Sequence, residues 1–462
     1  MLPTYANQNK TETNQVVKMA KKTVPASKYN VNNQGISADA LYVIEKLQEN
    51  GYDGYIVGGG IRDLLLGKKP KDFDIVTNAT PEMIRKVFRR NSLIIGRRFK
   101  IVHVVFENIN PEKIVNNRPI VERHAMEVST YRSHKVRNSN LSQHGRIMVD
   151  NEYGTQKEDA VRRDFTINAL FYDPIAEVIV DYNDGLKDIQ DKYIRIIGNP
   201  RNRYIEDPVR ILRAIRLSVK LDLNIHKDTA KPFSEIKHLL ANESRGRRYE
   251  EMLKILASGY SVACVSALKQ LEIPRDVFPL FDQLFFNEDK PDQLAIKILE
   301  RTDARISEAN DISVVFMLAG LMWPKIYNDW RNAPHGTPVK QALIDSITRN
   351  RAYALNAIGI TKTIYTSMSE VWLLQLELEH PNIKKIYNTL NAHRFRQACY
   401  LYNVRNEIGQ VDVNLHNWWQ KLIEADEDNQ EQLLQELKDH FNISSNRKRK
   451  RKKKKSPTKT TP

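Results

Sequence analysis

The chain has 462 residues, 41% hydrophobic and 28% charged, which suits a globular protein of about three domains. No apolar run approaches the roughly 18 residues of a membrane helix, and two distant cysteines, Cys264 and Cys399, exclude a disulfide framework or a zinc site and fit a reducing cytoplasm. The net charge of +16 points to a polyanionic partner, nucleic acid first; nine of those charges form the unbroken run Arg447–Lys455, leaving +7 elsewhere.

Residues 1–33 are rich in Asn, Gln, Thr and Lys with few apolar anchors, and are expected to be disordered. They carry neither a signal-peptide core nor an arginine-rich transit pattern. From residue 34 short β-branched or aromatic runs predict strands: Gly54–Val57, Phe73–Val76, Ile101–Phe106 and Glu127–Tyr131. Helical signals alternate with them. Ile61–Leu66 follows three glycines, Thr80-Pro81-Glu82 opens a helix over Pro81–Arg90, and Thr155 caps one through Ala160 to Leu170. The polar stretch Asn108–His124 reads as a loop. The resulting fold class is α+β: a head of 34–195 built on a small mixed sheet with helices, then all-helical regions. A neck of 196–262 carries the four-residue stripe Ile211, Ile215, Val219, and a body of 263–443 includes the buried helix Val314–Met322. Trp372, Trp418 and Trp419 are expected to pack between helices. The tail, 444–462, has no apolar face and is expected to be disordered.

The chemistry concentrates in four blocks. Val57-Gly58-Gly59-Gly60 lies between a strand and a helix, where Gly58 and Gly59 let backbone amides approach phosphate, and Arg62 in the first helical turn could reach a triphosphate. Asp72 and Asp74, two apart on a strand, would present paired carboxylates that call for a cation, with Mg²⁺ the usual one at a phosphate and Mn²⁺ the alternative. Two metal ions would want a third carboxylate, and both Glu127 and Asp164 qualify. Arg162-Arg163-Asp164 supplies guanidinium forks for phosphate, and Asp164 and Asn168, four apart on a helix, would share a face able to hold ribose hydroxyls. Asp207, Arg210, Arg213 and Arg216 recur every three residues and would form a polar ridge able to read a base edge or grip a triphosphate.

Together these blocks resemble the class II family of bacterial poly(A) polymerases and CCA-adding tRNA nucleotidyltransferases, most strongly between Val57 and Leu223. The resemblance implies a nucleotidyltransferase head in which Asp72 and Asp74 bind the metals and Glu127 is the strand acid. It also implies that Arg162, Arg163 and Asp164 bind nucleotide, and that Glu206, Asp207 and Arg210 act as a protein template for the base. The segment Leu93–Val104 and the basic tail favour the poly(A) branch, so the expected reaction is transfer of AMP from ATP to RNA 3′ ends. Rival readings are a CCA-adding enzyme using CTP as well as ATP, and a non-catalytic RNA-binding adaptor. Arg447, Lys448, Arg449, Lys450 and Arg451 are candidate RNA contacts, the expected setting is the cytoplasm without a membrane, and RNA-decay factors are candidate protein partners.

Overall fold

The computed structural model describes residues 20–96, 100–115, 118–133, 152–286 and 292–440. The tail contacts proposed at 447–451 and the middle of the Leu93–Val104 segment therefore lie outside the described residues. The chain divides into two compact units, one running to Glu243 with Gln270–Pro274 added, the other made of Ser244–Lys269 and everything after Arg275. Residues up to Glu243 thus belong to the same compact unit as the head.

The first unit is built on an eight-stranded mixed sheet. Its strands are β1 (Lys22–Pro25), β2 (Tyr55–Val57), β3 (Asp74–Thr77), β4 (Ser92–Ile95), β5 (Ile101–Val115), β6 (Arg118–Thr130), β7 (Leu170–Asp173) and β8 (Val178–Asp181), in the order β1-β8-β7-β2-β3-β6-β5-β4. Within this sheet, among the described residues, only β3 and β6 pair in parallel, which sets Ile75 beside Val128. Helix α1 (Ala38–Glu49) starts at Ser37, whose hydroxyl accepts from the Ala40 amide at 3.3 Å, and buries Val43, Ile44 and Leu47. Helix α2 (Gly59–Leu65) follows β2 directly, and α3 (Pro81–Phe88) begins under the Thr80 cap as its sequence predicts.

Three expectations change. Disorder to residue 33 gives way to β1, which pairs with β8 and is followed by buried Ala26 and Val31. The loop expected at Asn108–His124 is paired backbone: β5 and β6 continue through it in antiparallel register, with a shift between Asn110 and Ile114. Polarity misleads there because a hairpin extending beyond the sheet needs no apolar face. The helix expected from Thr155 to Leu170 stops early. Helix α4 (Gln156–Arg162) has a full capping box between Thr155 and Glu158, but Arg163 and Phe165 are extended, and a 3-10 turn at Thr166–Asn168 leads into β7. Two further helices complete the region that matters here, α5 (Gly185–Gln190) and α6 (Pro200–Glu206), followed by α7 (Val209–Leu221), which buries Ile211, Leu212 and Ile215.

The second unit is helical. Trp323, Trp372 and Trp419 are fully buried in it, and the Trp372 and Trp419 indoles donate to the Ala319 and Leu378 carbonyls at 3.0 and 2.9 Å. These tryptophans pack helices, as the sequence suggests. No helix among the described residues is long and apolar enough to cross a membrane.

Candidate active site

The site grows from the ends of β2, β3 and β6. Gly58 leaves β2 with φ 68° and ψ −127°, a conformation open to glycine but strained for other residues. A β-carbon there would stand 3.7 Å from both an Asp74 carboxylate oxygen and the Arg163 guanidinium. Gly60 does a different job: its missing side chain lets α2 lie on Phe73 and Ile56, which a β-carbon would meet at 3.1 and 3.2 Å.

Across the turn, Phe73 and Ile75 point into the core while Asp72 and Asp74 are exposed. The alternation expected of a strand therefore holds, although the strand begins only at Asp74. Because β6 runs parallel to β3 one step away, Glu127 comes alongside. The Asp74 carboxyl is held above its ordinary range, first by the protein packed around its base, then by the charges of Glu127 and Asp72, against the lowering effect of Arg163. Glu127 also faces His103 across the β5–β6 ladder, with Nε2 3.5 Å from the carboxylate.

A cavity of about 310 Å³ opens here, lined by Asp74, Glu127, Ser129, Arg132, Arg162 and Arg163 among others. Asp72, Asp74 and Glu127 also edge a wider cleft of about 930 Å³ floored by the lysines of the Lys68–Lys71 loop. Carboxylates and guanidinium groups lining one cavity form a donor set that fits a divalent cation bound to a triphosphate. Among the described residues no three acidic, His or Cys side chains enclose an ion by themselves.

Asp159 is a residue that motif reading overlooks. It is buried on α4, receives two hydrogen bonds from Arg163 at 3.0 and 2.8 Å and one from the Arg132 amide at 3.3 Å, and so aims Arg163 into the cavity. Its position four residues before Arg163 was a legible helical pairing signal.

Other sequence-derived candidates fall behind the cavity. Arg62 is turned towards protein partners. It is 6% exposed and donates to Asp63 at 2.9 and 2.6 Å and to the Asn168 side-chain oxygen at 2.8 Å. Asn168 in turn donates to Asp164 at 3.1 Å, and Arg213 grips the other Asp164 oxygen at 2.9 and 2.6 Å. Asp164 and Asn168 do meet, but through a 3-10 turn rather than a shared helix face. Their polar atoms are engaged with protein and not offered to a ribose. Burial would raise the Asp164 carboxyl, but the Arg213 charge and the hydrogen bonds from Asn168, Arg213 and the Phe165 amide bring it down to about 2. Both Asp164 oxygens are thus already engaged by protein donors, whereas Glu127 lines the cavity with Asp74.

The ridge expected on one helix is also divided. Asp207 caps α6 and precedes Pro208, so it lies outside α7, and its carboxylate accepts from the Val209 amide at 3.3 Å. Arg210, Arg213 and Arg216 are on α7. Glu206 accepts from both Arg203 (2.6 Å) and Arg210 (2.8 Å) at one oxygen. Arg203 then spans to the phosphate block, donating to the Arg162 and Arg163 carbonyls at 2.7 Å each. The Arg162–Asp164 block is thus clamped from behind by α6 and α7, through Arg203 and Arg213.

Comparison with known proteins agrees with this architecture. Residues 54–195 match the poly A polymerase head domain, 222–285 the probable RNA- and SrmB-binding site of polymerase A, and 335–456 the polymerase A arginine-rich C-terminus. Poly(A) polymerase I of Escherichia coli is 36% identical over 434 residues, covering 90% of this chain and 88% of the relative. Its counterpart in Haemophilus influenzae is 34% identical over 90% of this chain and 91% of its own length. The CCA-adding enzyme of Bacillus pumilus is also 34% identical, but over 50% of this chain and 52% of its own length. Among solved structures, the Bacillus stearothermophilus CCA-adding enzyme in complex with CTP superposes with a TM-score of 0.51 at 22% identity, covering 82% of this chain and 80% of that one, which speaks to fold alone.

Proposed function

Because the chain belongs to the bacterial poly(A) polymerase family, it is a nucleotidyltransferase that adenylates RNA 3′ ends, and we propose that the cavity between Asp74, Glu127 and Arg163 is where ATP and the RNA terminus meet. The 3′-hydroxyl oxygen bonds to the α-phosphorus of ATP as the bond to the bridging oxygen breaks. AMP joins the strand and pyrophosphate departs. Asp72, Asp74 and Glu127 are the residues that would hold divalent metal, Mg²⁺ by the hardness of an all-carboxylate donor set. Metal bound there supplies charge neutralisation for the triphosphate and activation of the attacking hydroxyl.

The protein's own residues do the rest. Gly58 and Gly59 present backbone without side chains to the phosphates. Arg162 and Arg163 line the same cavity as Asp74 and Glu127, where they balance phosphate charge, and Asp159 fixes the Arg163 fork. Glu206, Asp207 and Arg210 lie at the α6–α7 junction, coupled through Arg203 to the phosphate block, and that coupling supports a role in selecting adenine. Asp164, Asn168, Arg62 and Arg213 position that block rather than touching the substrate. The observation that carries the assignment is the approach of Glu127 to Asp74 on neighbouring parallel strands, facing Arg163.

The rival within the family, CCA addition, is separated by one experiment. A 5′-labelled generic RNA and a tRNA lacking its terminal CCA are incubated with each nucleoside triphosphate in turn. A long ladder with ATP alone on the generic RNA is expected. Activity confined to the tRNA and requiring CTP would overturn the reading.

A further inference from the structure

We propose that the helical unit carries a separate pocket for one nucleotide of the RNA strand, built from Tyr400, Phe316, Arg305 and Arg396; the proposal rests on RNA being the substrate. The cavity, about 400 Å³, lies between helix Gln293–Ser307, the start of helix Val314–Arg331 and helix Phe395–Glu407. That size falls within the range of small-ligand sites.

Its aromatic element is Tyr400, half-buried and met edge-on by Phe316 at 6.0 Å between ring centres. Two guanidinium groups approach the same ring: the central carbons of Arg305 and Arg396 are 5.8 and 5.7 Å from its centroid. Both cations lack a carboxylate partner among the described residues. Arg305 donates at 3.1 and 2.8 Å to the Asp311 backbone carbonyl, and Arg396 at 3.3 Å to the Tyr400 hydroxyl. Their neighbour Arg301 differs, being paired with Glu407. Two guanidinium groups outside any ion pair among the described residues, held against an aromatic face inside a concavity, suit a ligand that is flat at one end and anionic at the other. A nucleotide is that ligand: its base stacks on ring and guanidinium planes and its phosphate takes the forks. The acids at the rim, Glu308 and Asp311, can accept from ribose hydroxyls or exocyclic amines. A free mononucleotide shares this chemistry. The strand is favoured because the enzyme must hold RNA through phosphates and stacking while its 3′ end is extended.

The test is fluorescence anisotropy of a labelled oligoadenylate with the full chain over a range of KCl. Tyr400→Leu is expected to weaken binding by about fivefold to a hundredfold, the range of one base–aromatic stack, while Tyr400→Phe keeps it. Arg396→Ala is expected to lower the logarithmic salt slope by about 0.7, and Arg396→Lys to restore it. The KM for ATP at saturating RNA should not move in any variant. Unchanged affinity and slope in Tyr400→Leu and Arg396→Ala overturn the pocket. So does a loss seen only when ATP is titrated without RNA, which would make it a free-nucleotide site. If the wild-type chain neither binds RNA nor extends it with ATP, the polyadenylation reading itself fails. Wild-type extension with indifferent variants refutes the pocket alone.

Discussion

Replacing Asp164 by Asn keeps the shape of the Arg62–Asn168–Asp164–Arg213 chain and removes its one carboxylate charge from beside the Arg213 guanidinium. In the folded chain that carboxyl titrates at about 2 instead of 3.8. A difference of that size corresponds to about 2 kcal/mol of stabilisation at neutral pH, since one pKa unit is worth about 1.4 kcal/mol. The sign follows from the direction: a depressed carboxyl stabilises the fold fully above its unfolded pKa and loses that contribution as pH falls through the folded one. The wild type should therefore exceed Asp164→Asn by about 2 kcal/mol at pH 7, by roughly half of that at pH 3, and by almost nothing below pH 2. All five tryptophans lie beyond residue 320, so their fluorescence reports the helical unit and not this network. Hydrogen exchange of peptides spanning 156–173 and 200–221, corrected for intrinsic rates at each pH, measures the relevant opening. A gap between wild type and variant that is the same at pH 7 and pH 3 would refute the charge as its source. No gap at either pH would show that the Arg213 pair contributes nothing.

Asp74→Asn is expected to abolish RNA extension while unfolding stays within about 0.5 kcal/mol of wild type, because the side chain is exposed; thermal melts beside a primer-extension assay check both. Glu127→Gln should behave the same way and Asp164→Asn should not, retaining metal-dependent extension; the reverse pattern would restore Asp164 as the third metal-binding acid. Gly58→Ala should cost about 1–3 kcal/mol through its positive φ and raise the KM for ATP, since the added methyl stands between Asp74 and Arg163. Arg203→Ala should erode the preference for ATP over CTP in kcat/KM more than it lowers the rate with ATP, because Arg203 ties the Arg162 and Arg163 carbonyls to Glu206; equal losses with both nucleotides would reduce it to a structural brace.

Much of the fold was legible because it is written in local terms. Strands β2 and β3 show as β-branched runs, the Thr80 and Thr155 caps mark helix starts, and the stripe on α7 repeats every four residues. The paired exposure of Asp72 and Asp74 around buried Phe73 and Ile75 follows from the two-residue period of an extended chain alone. The buried tryptophans were equally plain from periodicity.

What the sequence could not decide was which charged groups meet. Arg62 and Asp164 have the residue type and spacing of substrate-binding groups, yet each is engaged by protein, partly by near neighbours (Asp63 and Asn168) and partly by distant ones. The distant partners, Asn168 for Arg62 and Arg213 for Asp164, lie 106 and 49 positions away, and no local pattern encodes those two pairings. Arg163, nearly identical in type and setting, is turned instead into the cavity by Asp159. Glu127 comes beside Asp74 only because β6 pairs in parallel with β3, a register set by how the whole sheet closes. Composition, spacing and period specify which chemistry the chain carries; the long-range pairing of strands and guanidinium groups decides which residues face the substrate, because burial and ion pairing between distant segments determine which charges remain open to it.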